Sequence, residues 1–120
     1  MVSKIWIPER RDIIWIDFNP QVGQETKDMH PLLVLSPKEF NDRTRIVIGL
    51  PMTTAKSNET NPFAVKFVGE KGKVSYVLAH QPKSFDWRLK GGKPHPWKQA
   101  SEEVLIQAGE MLNQIIAICE

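Results

Sequence analysis

The chain lacks the features that mark disulfide-rich, zinc-binding and membrane-spanning proteins. A single cysteine, Cys119, excludes an internal disulfide framework and a cysteine-ligated zinc site. The longest apolar runs, at residues 13–16 and 32–35, have the length of a strand, whereas a membrane-spanning helix needs roughly 18 residues. The first residues also lack the apolar core and cleavage site of a signal peptide. We therefore expect a soluble protein of the reducing cytoplasm, without membrane association.

Strong charge of either sign is also missing. The formal net charge is +2 and the sequence pI is about 8.8, which gives only a mild indication of an anionic partner. The length of 120 residues fits one domain, 1–120, with its own hydrophobic core. Nine prolines favour short strands and turns over a helix bundle.

The hydrophobic pattern predicts a mainly β chain that ends in one helix. Apolar and β-branched residues predict strands at 12–18, 32–36, 45–52, 63–68 and 74–79, with a hairpin turn at 70–73. We expect a turn or one helical turn at 37–41, a polar loop at 55–61, and a basic segment with a Gly-Gly turn at 83–96. Short strands followed by a helix suggest a small, strongly curved sheet or barrel, whose topology the periodicity leaves open.

The C-terminal segment carries the signals of a helix. Ser101 is suited to cap its start, and Glu102 and Glu103 lie where the helix dipole favours acidic residues. Apolar residues at helical spacing form one stripe, which we interpret as core rather than as a groove for a partner. The stripe consists of Val104, Leu105, Ala108, Met111, Leu112, Ile115 and Cys119. On this pattern Cys119 is expected to be a buried small hydrophobe.

Three segments together resemble toxins of the MazF/PemK family. They are DIIWIDFNP at 12–20 with GQE at 23–25, then PLLVLSP at 31–37 with Asn41 and PMTT at 51–54, and finally QPKSFDWR at 81–88. The resemblance covers nearly the whole chain and implies an SH3-like barrel (MazF/PemK/CcdB-like) with a C-terminal helix, acting as a homodimer. It also implies cleavage of single-stranded RNA, including mRNA, at short sequences, without a metal or cofactor. The expected partner is a cognate antitoxin whose acidic C-terminal segment covers the RNA-binding face, so that DNA is contacted only through the antitoxin.

The chain departs from the family pattern at three positions. Family members carry glycine before the aspartate of the first segment, arginine before the proline of the second, and aspartate before the glutamine of the third. This chain has Arg11, His30 and His80 at those positions. The latter two positions are associated with catalysis in the family, so the substitutions imply either changed chemistry or lost activity.

Histidine is suited to the chemistry that this resemblance implies. Metal-independent cleavage uses the 2′-OH of the RNA as nucleophile, with a base, an acid and donors that stabilise the phosphorane. An unperturbed histidine pKa of about 6.5 suits both proton roles. We predict that His30 and His80 share proton transfer, that Glu25 is a second base or orienting group, and that Thr53 binds the scissile phosphate. The alternatives are surface histidines, a solvated Glu25 and a Thr53 that bonds only nearby backbone.

Basic residues and tryptophans alternate in the segment 83–98. Cations that follow phosphates and aromatic faces that stack on bases suit single-stranded nucleic acid. We predict RNA contacts for Gln81, Lys83 and Arg88, with Lys27 and Lys56 contributing from loops, while Trp87 packs in the core or a dimer interface and His95 lies in a loop. The alternative is that the lysines only solvate a face.

Two other functions remain open at this level. The substitutions at His30 and His80 favour a catalytically silent module that keeps the dimer and binds antitoxin or RNA without cleavage. A gyrase poison is the third possibility, because CcdB toxins share this fold, although the motif residues follow MazF/PemK.

Overall fold

The computed structural model describes residues 5–19 and 28–119. Within these residues the chain forms seven strands and two α-helices. The strands are β1 Asp12–Asp17, β2 Met29–Val34, β3 Ile46–Thr53, β4 Ala64–Val68, β5 Val74–Leu78, β6 Lys83–Asp86 and β7 Lys93–Gln99. The helices are α1 Lys38–Thr44 and α2 Glu102–Ile116, with 3-10 helices at Lys56–Thr60 and Glu70–Gly72. The five predicted strands and the terminal helix are confirmed, whereas the segment 83–96 contains most of two strands that the pattern did not predict.

The strands form one antiparallel sheet that curls into a half-barrel. Its order is β4-β5-β3-β2-β1-β7, and β6 pairs with the first half of β3. Phe67 on β4 and Trp97 on β7 lie at opposite ends of this order, yet their ring centroids are 5.4 Å apart. The sheet must therefore curve strongly enough to bring its two edges together, which confirms the expected mainly β, barrel-like fold with a C-terminal helix.

Two cores lie on the two faces of the central strands. Along β1, Ile13 belongs to the core inside the curve, whereas Ile14 and Ile16 belong to the core outside it. Successive side chains on a strand point to opposite faces. Burial on both faces therefore explains why β1 has a continuous apolar run instead of an alternating one. Val104 and Ala108 of α2 contribute to the core inside the curve.

Helix α2 packs against this core as far as Met111 and Leu112, and its last residues do not. Ser101 caps the helix as predicted, because its Oγ accepts a hydrogen bond from the Val104 backbone N–H at 3.2 Å. Ile115 is exposed, and Cys119 is exposed three residues after the helix ends at Ile116. The prediction of a buried Cys119 was wrong, because the apolar spacing continues beyond the residues against which the helix packs. Within the described ranges, no helix is long and apolar enough to cross a membrane.

Helix α1 is longer than the single turn expected at 37–41, and it positions a buried amide. Asn41 Nδ2 donates to the Pro8 carbonyl at 2.8 Å and to the Ser36 carbonyl at 3.1 Å. The Asn41 carbonyl accepts from Trp87 Nε1 at 2.9 Å. Trp87 is only 4% exposed, which confirms core packing for this tryptophan. These bonds link the second and third of the segments on which the family resemblance rests.

Candidate functional site

A groove with a volume of about 410 Å³ opens at the end of β2 and β3 and along β7. Two of the predicted catalytic residues, His30 and Thr53, contribute to its wall. Leu32 pairs with Pro51 in the antiparallel register of β2 and β3. His30 lies two residues before Leu32 and Thr53 two residues after Pro51, so both are at the same end of the paired strands. The fold thus brings together two positions that are 23 residues apart in the sequence.

His30 has a carboxylate partner. Its Nε2 lies 2.5 Å from Asp28 Oδ1, and both side chains are at least half exposed. Its ring meets Phe18 edge-on, with centroids 5.4 Å apart. An imidazole that a carboxylate orients and that remains open to solvent is suited to accept and return a proton. Sequence reasoning missed Asp28, although its position two residues before a candidate histidine, just before β2 begins, was a usable signal.

Thr53 keeps a hydroxyl proton available. Its Oγ1 accepts a hydrogen bond from the Ala55 backbone N–H at 3.2 Å. Its carbonyl accepts from Ser75 Oγ at 3.2 Å, which ties β3 to β5. Among the described residues, the hydroxyl has no acceptor of its own. The local bonding expected of a threonine at a strand end is therefore present, and it leaves the hydroxyl able to donate to a phosphate oxygen.

His80 lies away from this groove. It follows the end of β5 by two residues, is half-buried, and does not line the groove. Its ring packs against Phe63 at 5.5 Å, and its Nε2 is 3.3 Å from Gln81 Nε2. Its Nδ1 is buried and has no hydrogen-bond partner among residues 5–19 and 28–119. The two histidines are therefore not joined in one cavity of the single chain, and the role of His80 stays a prediction.

A second groove continues the first along β4 and β5. Its volume is about 490 Å³, and it shares Thr54 and Lys73 with the first groove. Lys56, one of the predicted RNA-binding residues, lines it together with Lys66. The loop expected at 55–61 is the 3-10 helix Lys56–Thr60, which fixes Lys56 at the groove edge.

An acidic group lies among these lysines. The Tyr76 hydroxyl donates a hydrogen bond to Glu59, and Lys66 Nζ is 3.5 Å from Glu59 Oε1. The hydrogen bond from Tyr76 and the charge of Lys66 lower the pKa of Glu59, while the same carboxylate raises the pKa of the Tyr76 phenol. Glu59 therefore stays ionised and offsets one of the cations.

The other predicted RNA-binding residues are elsewhere. Lys83 begins β6, where it pairs with Gly49 of β3, and it is exposed, as is Gln81. The Arg88 guanidinium lies over the Trp87 ring at 5.0 Å from its centroid. None of these three residues lines either groove. Glu25 and Lys27 lie outside the described residues.

His95 is the main residue of the groove that sequence reasoning missed. It is on β7 and only 7% exposed, so the prediction that it lies in a loop was wrong. The flanking Pro94 and Pro96 suggested a loop, but β7 is an edge strand that pairs only with β1, where proline is tolerated. Burial, and secondarily the positive charge of Lys73, lower the pKa of His95. The alternation of His95 with Trp97 was the signal in the sequence from which this strand could have been predicted.

The described residues contain no group of three or more His, Cys, Asp or Glu side chains placed to hold a metal ion. The groove instead combines imidazole, hydroxyl, ammonium and aromatic groups. Such groups transfer protons, bind anions and stack on planar rings.

Comparisons with known proteins agree with this fold. A family model described as PemK-like, MazF-like toxin of type II toxin–antitoxin system matches residues 9–116. The chain is 35% identical over 108 residues to the endoribonuclease toxin MazF of Escherichia coli strain K12, covering 90% of this chain and 94% of that protein.

Two solved structures have the same architecture. The crystal structure of MazF from Deinococcus radiodurans (form I) is 28% identical, with a TM-score of 0.80 and coverage of 95% of this chain and 100% of that one. The MazE–MazF crystal structure (form III) from the same organism is 29% identical, with a TM-score of 0.78 and the same coverage, 95% and 100%. The chain therefore belongs to the PemK-like, MazF-like family of toxins of type II toxin–antitoxin systems.

Proposed function

We propose that the protein is an endoribonuclease toxin that cuts single-stranded RNA, including mRNA, in the cytoplasm without a metal ion and thereby inhibits translation and growth. The observation that carries this proposal is that His30 and Thr53 line the same groove. The similarity to an Escherichia coli protein named as an endoribonuclease toxin supports it.

The proposed reaction is an attack of the ribose 2′-OH on the adjacent phosphorus. His30, oriented by Asp28, takes the proton from the 2′-OH, and the P–O bond to the 5′-oxygen breaks as the new P–O bond forms. Thr53 donates a hydrogen bond to a phosphate oxygen and stabilises the phosphorane. An acid protonates the leaving 5′-oxygen, and we keep His80 as the candidate for this role, with Glu25 as a second base or orienting group. The products are a 2′,3′-cyclic phosphate and a 5′-OH.

The two connected grooves offer a path for the RNA strand. Lys73 lies at their junction, and Lys56 and Lys66 line the second groove. Ammonium groups along a groove suit the phosphates of an RNA strand, and they make binding weaken as salt concentration rises. The strand would thus enter along the lysines and place one phosphate beside Thr53.

The proposal includes a homodimer and an antitoxin. Leu35, Phe40 and Ile48 line an apolar surface outside the groove, and Phe40 and Ile48 are exposed, which suits contact with a second copy. Three predicted RNA-binding residues, Gln81, Lys83 and Arg88, lie outside both grooves. We propose that they bind RNA in the dimer. The solved MazE–MazF complex supports a cognate antitoxin, whose acidic segment suits the lysines of the grooves.

A ribonuclease assay in EDTA tests the proposal. The purified protein is incubated with a pool of RNA oligonucleotides, and the ends of the products are analysed. We expect cleavage with 5′-OH ends in EDTA and its loss in the folded variants His30→Ala and His80→Ala. Binding without cleavage would contradict the proposal and identify a silent binding module, and inhibited supercoiling with intact RNA would identify a gyrase poison.

A further inference from the structure

We propose that Trp15, His95 and Trp97 form a base-binding subsite, in which His95 Nε2 donates a hydrogen bond to an acceptor on a nucleobase of the RNA. The inference rests on the proposed ribonuclease function and adds a specificity-determining residue to it. The three residues are called the aromatic wall below.

The aromatic wall is tightly packed. The His95 ring is 4.5 Å from the Trp15 ring and 5.0 Å from the Trp97 ring, between centroids. Trp97 in turn packs against Phe67 at 5.4 Å and over Gly69, where an added Cβ would lie 2.6 Å from the indole. Such a preformed surface does not have to order itself when a ligand binds, which is the property expected of a recognition subsite.

The hydrogen bonds of His95 determine which nitrogen is available. The Trp97 backbone N–H donates to His95 Nδ1 at 3.0 Å, so the neutral ring carries its proton on Nε2. The lowered pKa of His95 favours this neutral form. Nε2 has no hydrogen-bond partner among the described residues. It is not fully buried either, because it is absent from the buried side-chain atoms that lack a partner. It is therefore a neutral donor that remains open to the groove.

These properties suit a base better than a phosphate. A phosphate carries charge and is matched by cations such as Lys73, whereas base edges present neutral carbonyl and ring-nitrogen acceptors. Aromatic side chains beside the donor supply the stacking surface that unpaired bases prefer.

The aromatic wall lies next to the proposed reacting centre. Trp15 pairs with Pro31, the neighbour of His30, and Met52 precedes Thr53. All of these residues line the same groove. A base held by the aromatic wall therefore belongs to a nucleotide adjacent to the cleaved bond, where its identity affects the cleavage rate.

Two substitutions test the Nε2 donor of His95 separately from the packing of its side chain. His95→Asn retains an oxygen near the position of Nδ1 that can accept from the Trp97 N–H, but it loses the group at Nε2. His95→Gln extends an amide N–H to the position of Nε2 and is the matched control. Cleavage sites of wild type and both variants are mapped by sequencing in a random RNA pool in EDTA. We expect the base preference at one position beside the cleaved bond to fall about fivefold to tenfold in His95→Asn, as expected for one lost hydrogen bond. His95→Gln should keep most of it.

A binding measurement makes the test independent of cleavage. Tryptophan fluorescence is titrated with uncleavable 2′-O-methyl octanucleotides, one for each base. We expect a base-dependent Kd in wild type and a smaller difference between bases in His95→Asn. Trp15→Leu, which removes a second part of the aromatic wall, should reduce the difference as well and serves if His95→Asn does not fold.

The outcomes distinguish this proposal from the ribonuclease proposal. Base-dependent binding without any cleavage would overturn the ribonuclease function and leave the base-binding subsite standing. Unchanged base preference in a folded His95→Asn or Trp15→Leu protein would overturn the subsite while cleavage continues. If either variant binds an acidic peptide more weakly than wild type but binds RNA equally well, the aromatic wall binds protein. That result would also overturn the subsite.

Discussion

His30 and His95 line the same groove in opposite surroundings. His30 is half exposed, and a carboxylate orients it at 2.5 Å. His95 is 7% exposed, lies between two tryptophan rings and accepts a backbone hydrogen bond. One imidazole is free to exchange a proton with a substrate, and the other is held as a fixed neutral donor. The difference teaches that the surroundings of a histidine, rather than its presence, determine whether it is suited to proton transfer or to hydrogen bonding with a ligand.

The largest expected effect is the loss of the solvent-exposed imidazole. His30→Ala should lower kcat by about 100-fold or more, because a positioned general base contributes at least that factor. Single-turnover cleavage of an RNA oligonucleotide in EDTA measures it. Circular dichroism and size-exclusion chromatography provide the control for folding and assembly. A kcat within threefold of wild type in a folded protein would remove His30 from the mechanism.

Gly69→Ala tests the aromatic wall without touching His30. The added Cβ would lie 2.6 Å from the Trp97 ring, which must then move. We expect a loss of about 1–3 kcal/mol in the free energy of unfolding, as is typical of overpacking, together with weaker base discrimination. Urea denaturation measures the first effect and cleavage-site sequencing the second.

Gly109→Ala is the matched control, because nothing lies within 4 Å of its added Cβ and the residue is helical. It should be neutral or stabilise the protein by up to about 1 kcal/mol. If Gly69→Ala behaves like Gly109→Ala, Trp97 is not held as tightly as the structure indicates.

Asp28→Asn addresses the orientation of His30. The substitution removes a charge-assisted hydrogen bond of a half-exposed pair, so kcat should fall on the order of tenfold, at the low end for such bonds. Asp42→Asn, on the exposed surface of α1, is the control and should keep the wild-type rate. Equal rates for Asp28→Asn and wild type would show that the carboxylate is dispensable.

The smallest expected effect is a pH dependence of stability that comes from His95. Its pKa in the folded chain is below the ordinary value, so the unfolded chain binds a proton first as the pH falls below about 6.5. The stability is complete above that pH and is lost progressively toward the pKa of the folded chain. Urea melts between pH 8 and 5 should show this decline in wild type and a weaker one in His95→Asn. Identical slopes would contradict a buried, neutral His95.

The sequence predicted the parts of the fold that local patterns encode. The apolar run of β1, the hairpin of β4 and β5, and the cap at Ser101 follow from residue types within a few positions. Strands β6 and β7 were missed, because the pairing of an edge strand depends on its neighbour rather than on its own composition. In β7 the prolines at 94 and 96 hid a strand that β1 holds in place.

The candidate site divides in the same way. The segments around His30 and Thr53 were identified from the sequence, and the pairing of β2 with β3 brings both residues to one groove. His80 occupies a position of the same family pattern, but the fold places it outside the groove, and its Nδ1 has no partner among the described residues. His95 and Asp28 carry no family signal, and only their contacts indicate a role.

By itself, the sequence determined the family, the β-rich composition and two residues of the groove, because these depend on local pattern and motif order. The tertiary structure decided which histidine is exposed and which is buried, because the curl of the sheet brings β7 against β4. That curvature packs Trp97 against Phe67 and places His95 in the wall beside His30. Contacts between strands so far apart in the chain depend on long-range packing, which no local spacing of residues encodes.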